Sequence, residues 1–215
     1  MVAIIVVLLI GFFVFLFFRS KSRESYIRDF QFPRGLNRRL SHHHPHLTQE
    51  QIQHVVDGLR QFFRIYLRSG RKNIAMPSQV VDDLWHEFIL YTKAYQSFCN
   101  KAFGQFLHHT PAIVMTSSQK KNNAGLKRAW HFACQDENIA PNAAARLPLI
   151  FALDAQLNIA NGFHYVPDCK LAGTAAGLYC GGDFAGSSCS SSTDSDGDSG
   201  CSSDGCSGGC GGGGD

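Results

Sequence analysis

The chain opens on an unbroken apolar run. Met1 to Phe18 carry no charge and no strongly polar side chain, and Arg19, Lys21 and Arg23 follow at once. At a rise of about 1.5 Å per residue this run spans roughly 27 Å as a helix, close to the thickness of a hydrocarbon core. Lipid offers backbone groups no partner, so the run predicts a single transmembrane helix. No basic residue precedes it and no small-x-small site ends it, which argues for a retained anchor rather than a cleaved signal.

Beyond it the pattern changes to helical periodicity. Thr48-Gln49-Glu50-Gln51 fits a capping box. Ile52, Val55, Val56, Leu59, Phe62, Phe63 and Tyr66 then recur at i, i+3, i+4 and i+7, with Gly70 as the stop. A second helix is predicted from an N-cap at Ser78, with Val81, Leu84, Trp85, Phe88, Thr92, Tyr95 and Cys99 on one stripe, running to a break or bend at Gly104. A third covers Lys120 to Glu137, and a fourth covers Leu147 to Leu157 with Pro148 in its first turn. Asn161-Gly162 marks a turn, and Phe163 to Val166 read as a short strand or extended closing segment. The fold class expected is mainly α: one N-terminal transmembrane helix and a small helical bundle.

Composition adds a tail. From Gly181 to Asp215 the chain holds 12 Gly, 10 Ser, 6 Asp and 4 Cys, with only Phe184, Ala185 and Thr193 besides. Such a segment cannot bury enough apolar surface to offset its ordering entropy, so a disordered tail is expected. The expected organisation is an anchor over 1–18, a basic and His-rich linker over 19–47, a helical domain over 48–170 and a Gly/Ser/Asp/Cys tail over 171–215. Seven Lys or Arg lie between residues 19 and 40. By the positive-inside bias they place the N-terminus outside and the domain in the cytoplasm. The partner implied is the lipid bilayer; no nucleic-acid partner is expected, since much of the basic excess lies beside the membrane and the tail is acidic.

The chemistry-bearing residues are few. Asp82 and His86 stand four apart on a helix and face each other, an arrangement that suits a metal ligand pair, an acid–base pair or a structural hydrogen bond. His108 and His109 can bring a further imidazole from the segment after Gly104. Cys99 lies in the centre of the apolar stripe and reads as a buried thiol. His42, His43, His44 and His46 form a local imidazole cluster. In the tail, Cys189, Cys201, Cys206 and Cys210 offer soft ligands for a transition metal such as zinc or copper, without any C-x-x-C spacing. Asp194 to Asp198 open like a calcium loop, but Ser199 and Gly205 stand where such a loop needs Gly and Glu. No phosphate-cradling loop, G-x-S-x-G elbow or HExxH is present.

Asp82-Asp83-Leu84-Trp85-His86 begins a passage that continues through Tyr95, Phe98, Cys99, Phe103-Gly104 and Phe106 to Pro111. With Leu126 to Trp130, Ala133-Cys134 and Leu147 to Asp154, it resembles the glycine-rich domain-containing-protein-like family of plants and bacteria, the bacterial members above all. The resemblance covers residues 48–169 and implies a shared fold without an activity. The leading expectation is a membrane-tethered, non-enzymatic interaction module. The alternatives are metal handling through the tail thiols and His cluster, and a metal-dependent or acid–base enzyme centred on Asp82 and His86.

Overall fold

The computed structural model describes residues 2–109, 124–167, 179–181 and 184. Its elements are α1 (Val2–Asp29), α2 (Leu36–His43), α3 (Gln49–Arg68), α4 (Gln79–Leu90), α5 (Thr92–Ala102), α6 (Ala124–Asp136), α7 (Leu149–Gln156), β1 (Tyr165–Val166) and β2 (Tyr179–Cys180). The fold is mainly α, as the periodicity predicts.

The first part of α1 is long and apolar enough to cross a membrane, and among the described residues the large apolar side chains from Ile4 to Phe18 are exposed. A helix apolar on every side needs lipid or protein around it. The same helix runs on without interruption into the domain. Ile27 is buried, Glu24 binds Arg68 of α3, and Tyr26 stacks on Phe98 of α5.

At the centre lies α3. Thr48 and Gln51 form the expected capping box, the Gln51 N–H donating to Thr48 Oγ1 and the Thr48 N–H donating to Gln51 Oε1. Its apolar residues are buried on a broad face against α4, α6 and α7. At Gly58 the neighbours come close, since a Cβ there would stand 2.5 Å from Leu153 of α7 and 3.0 Å from Val81 of α4. Phe63, Phe88, Phe98 and Phe103 meet as an aromatic cluster joining α3, α4 and α5.

Three expectations are revised. The helix expected from Ser78 to Gly104 is two helices, broken at Tyr91 (φ −79°, ψ 58°), whose ring lies under Arg39. The segment 19–47, expected as a linker, is built into the domain. It contains the packed end of α1 and all of α2, and it buries Ile27, Leu36, Leu40 and Leu47. Within the segment assigned to the tail, β2 pairs in parallel with β1, and Phe184 packs on Trp130 and Phe151. The tail cysteines Cys189, Cys201, Cys206 and Cys210 lie outside the described residues.

Candidate metal centre

The site forms where α4 meets the segment that follows α5. Its foundation is Asp154, a buried carboxylate on α7 that accepts from Ser78 Oγ (2.7 Å), the Gln79 N–H (2.7 Å), the Val80 N–H (3.2 Å) and the Phe163 N–H (2.8 Å). These donors include N–H groups of the first turn of α4, which has no carbonyls of its own to meet them. The negative charge also faces the positive end of the helix dipole. Thus α7 holds the start of α4 in place.

Three carboxylates line the polar side of α4, and two are committed to α2 and its exit. Asp83 accepts from Gln79 Nε2 (2.9 Å) and faces His44 Nε2 (2.8 Å). Glu87 accepts from Arg39 (2.9 Å) and lies 3.0 Å from His43 Nε2. Burial alone would raise the Glu87 carboxyl, but the bonds to His43 and Arg39 outweigh it and hold the group below the usual carboxylate range.

Asp82 alone turns elsewhere. Its Oδ2 stands 3.6 Å from His86 Nδ1, one helical turn on, and its Oδ1 stands 2.9 Å from His109 Nε2. The two imidazole centroids are 4.2 Å apart. His109 arrives there because Leu107 is tied down. Trp85 Nε1–H donates to the Tyr95 hydroxyl (3.1 Å), which in turn donates to the Leu107 carbonyl (2.6 Å). Burial raises the Tyr95 phenol, so it stays a donor. The His109 ring then rests edge-on against Trp85, with centroids 4.5 Å apart.

One ligand atom from each of Asp82, His86 and His109 lies within 4.8 Å of the others. With bonds of about 2.1 Å, tetrahedral zinc ligands stand roughly 3.4 Å apart. The 2.9 and 3.6 Å separations run from the two different carboxylate oxygens of Asp82, so the side chains would shift by some tenths of an ångström to close on one ion. The side chain of His86 is half-exposed, while those of Asp82 and His109 are mostly covered. The centre therefore opens to solvent on one side.

The sequence candidates thus divide. Asp82, His86 and His109 converge, whereas His108 is exposed and lies tilted against Phe106. Cys99 is a buried free thiol, raised by burial, and takes no part. The imidazoles of His43, His44 and His46 disperse to Glu87, Asp83 and the Leu157 carbonyl. In the sequence Tyr95 stands on the apolar stripe and in the passage that carries the family resemblance, and Asp154 ends the Leu147 to Asp154 run of that resemblance, but neither is assigned a role at the site.

A family model described as UCP032817-like matches residues 22–184. No curated protein and no solved structure matches the chain.

Proposed function

The chain belongs to the UCP032817-like family, whose match spans Asp82, His86 and His109 and leaves out the apolar run before Arg19; from this premise we propose a membrane-anchored helical domain that binds one divalent transition ion, of the zinc class, through those three side chains. The observation that carries the reading is the convergence of ligand atoms from two separate segments within 4.8 Å. Two imidazoles and a carboxylate are suitable ligands, and three protein ligands leave a tetrahedral ion one position for water or a reacting group. That is the pattern of a working site rather than a structural one. For His109 Nε2 to bind the ion, the ring proton must sit on Nδ1, so the contact with Asp82 is exchanged for the bond to the metal.

The same proposal anchors the first eighteen residues in a bilayer and puts the domain on the cytoplasmic side, on the strength of the basic residues from Arg19 to Arg39. It also sets the chain beside bacterial members of the glycine-rich domain-containing-protein-like family, on the Trp85-His86 pair that follows Asp82 and Asp83. The interaction-module reading has less behind it. Outside the apolar run, the exposed large apolar side chains among the described residues are the scattered Leu90, Phe106 and Phe163.

The test is metal analysis of the full chain purified in detergent without chelator, offered zinc and copper in parallel. One ion per chain is expected. The pair His86→Ala and His109→Ala should weaken binding roughly 100-fold or more, since even outer partners of a metal site carry 10- to 100-fold. A chain ending at residue 184 should keep the ion. If the ion is lost with residues 185–215 and is indifferent to the histidines, tail chemistry replaces this reading. If neither metal binds in stoichiometric amount, the metal reading falls.

A further inference from the structure

Five arginines, Arg39, Arg60, Arg64, Arg68 and Arg146, each meet a carboxylate, at Glu87, Asp57, Asp136, Glu24 with Asp136, and Glu137 respectively. Among the described residues Arg19, Arg23 and Arg71, like Arg28, Arg34, Arg38 and Arg128, meet none within 4.0 Å, but these three are the ones whose charges the fold gathers around Phe103 and Gly104. Arg19 and Arg23 share one face of α1, a helical turn apart. Arg71 comes from the turn after α3, in the left-handed conformation (φ 65°), and donates to the Phe103 carbonyl at 2.9 Å. The next residue is Gly104 (φ 75°), and the Arg23 guanidinium fills the space its side chain would need, 2.5 Å from the Cβ position. The nearest acid on the helix, Glu24, is turned towards Arg68 and Lys21 instead. Holding three like charges together without a counter-charge is unfavourable, and Arg71 itself stands in the left-handed region that non-glycine residues rarely adopt.

The depth of this cluster identifies its counter-ion. Arg19 follows directly on Phe18, and Arg23 lies about 7.5 Å beyond the apolar run along the helix. The headgroup layer occupies roughly 5–7 Å on each side of the hydrocarbon core. Guanidinium forks also match phosphate oxygens two bonds at a time. We propose that Arg19, Arg23 and Arg71 together hold the phosphate of an anionic phospholipid where α1 leaves the bilayer. This rests on the anchoring reading above and is independent of the metal centre.

The experiment places the full chain in lipid nanodiscs made from equal parts phosphatidylcholine and phosphatidylglycerol. Lipids retained on the released protein are then identified by native mass spectrometry. The unaltered chain should retain phosphatidylglycerol preferentially. Arg23→Gln and Arg71→Gln should each cut the preference roughly fivefold, and the pair should approach parity. Arg34→Gln with Arg38→Gln, removing charge elsewhere on the same flank, should leave it intact. Parity in the unaltered chain, or an equal loss in that control, overturns the proposal while the anchor stands. Displacement of the lipid by millimolar inorganic phosphate would reassign the cluster to a soluble anion and overturn the lipid assignment. Failure of the chain to enter the discs at all would remove the anchoring reading and this one with it.

Discussion

Tyr95 shows how much of the candidate centre depends on a residue that touches none of the three ligands. Its hydroxyl links the Trp85 ring, which supports His109, to the Leu107 carbonyl, two residues before His109. Tyr95→Phe keeps the packing but leaves a buried N–H and a buried carbonyl unpaired, at about 1–3 kcal/mol each. It should lower the melting temperature and weaken zinc binding by roughly 10-fold, within the range for outer partners of a metal site. Equal zinc affinity in a destabilised variant would show that His109 is positioned without it. A second expectation concerns acid. Glu87 and Asp136 both titrate below their ordinary values, because partners outweigh burial: His43 and Arg39 for Glu87, Arg64 and Arg68 for Asp136. Over the interval between folded and unfolded values the unfolded chain binds more protons, so stability rises with pH. The contribution is therefore complete above about pH 4–5 and is lost as pH falls through the folded values. Thermal melts between pH 7 and pH 3 should show the loss, and Glu87→Gln should flatten part of it. The choice of His109 over His108 was not legible from sequence. After Gly104 the helical period ends and burial alternates instead, with Leu107 and His109 covered and Phe106 and His108 exposed. Two adjacent histidines in such a stretch take opposite sides, and only the fixed position of Leu107 decides which is which.

Among the elements, α3 was the most legible and α4 the least. Thr48, Gln51 and a sustained apolar period specify α3 locally, and the structure keeps its cap and its buried face. The end of α4 has no such local mark. No glycine or proline stands at Tyr91, and the apolar stripe continues past it to Tyr95 and Cys99. The break is a tertiary event, associated with the seat of Tyr91 against Arg39 and Gly35. The start of α4 is likewise held from a distance. Asp154 replaces the missing carbonyls of a preceding turn, and its four donors come from three separate residues of the α4 entrance and from Phe163. Asp154→Ala strands those donors in a buried place and should cost about 3 kcal/mol or more. Asp154→Asn keeps one acceptor oxygen and should cost less. Both are read from denaturant midpoints of the full chain in detergent. Because the cap orients the whole helix, Asp154→Ala should also weaken zinc binding although it lies off the centre. Asn and Ala variants of equal stability would show that packing, not the carboxylate, holds α4.

At the scale of the whole molecule, the boundaries of the folded unit run against composition. Charge and proline made residues 19–47 read as a linker, and glycine and serine made everything after 171 read as a tail. A few well-spaced apolar residues decide otherwise: Ile27, Leu36, Leu40 and Leu47 at one end, and Phe184 at the other, all buried. A composition window averages such residues away, because each is surrounded by polar neighbours that stay in solvent. The family match over residues 22–184 has nearly the same limits as this packing. The apolar helix is thus not a tether on a flexible strap but the first half of a helix whose second half belongs to the core. Residues Ile4 to Phe18 contribute no packing to the domain, whereas Ile27 is buried and Tyr26 and Phe30 lie against Phe98 and Phe88. Full burial is worth about 1.5–3 kcal/mol per side chain; Ile27 is buried and Tyr26 and Phe30 are partly so, and losing all three removes a sizeable share of the roughly 5–15 kcal/mol of a typical domain. A chain of residues 19–215 should therefore melt cooperatively and still bind one zinc ion. A chain of residues 31–215 should show no cooperative melt, and its zinc binding should fall with its fold, since α5 and the segment carrying His109 lose the surface they rest on. Circular dichroism melts with zinc titration on both chains decide the matter. If residues 31–215 melt like residues 19–215, the domain begins after α1, and the second half of that helix is not part of the core.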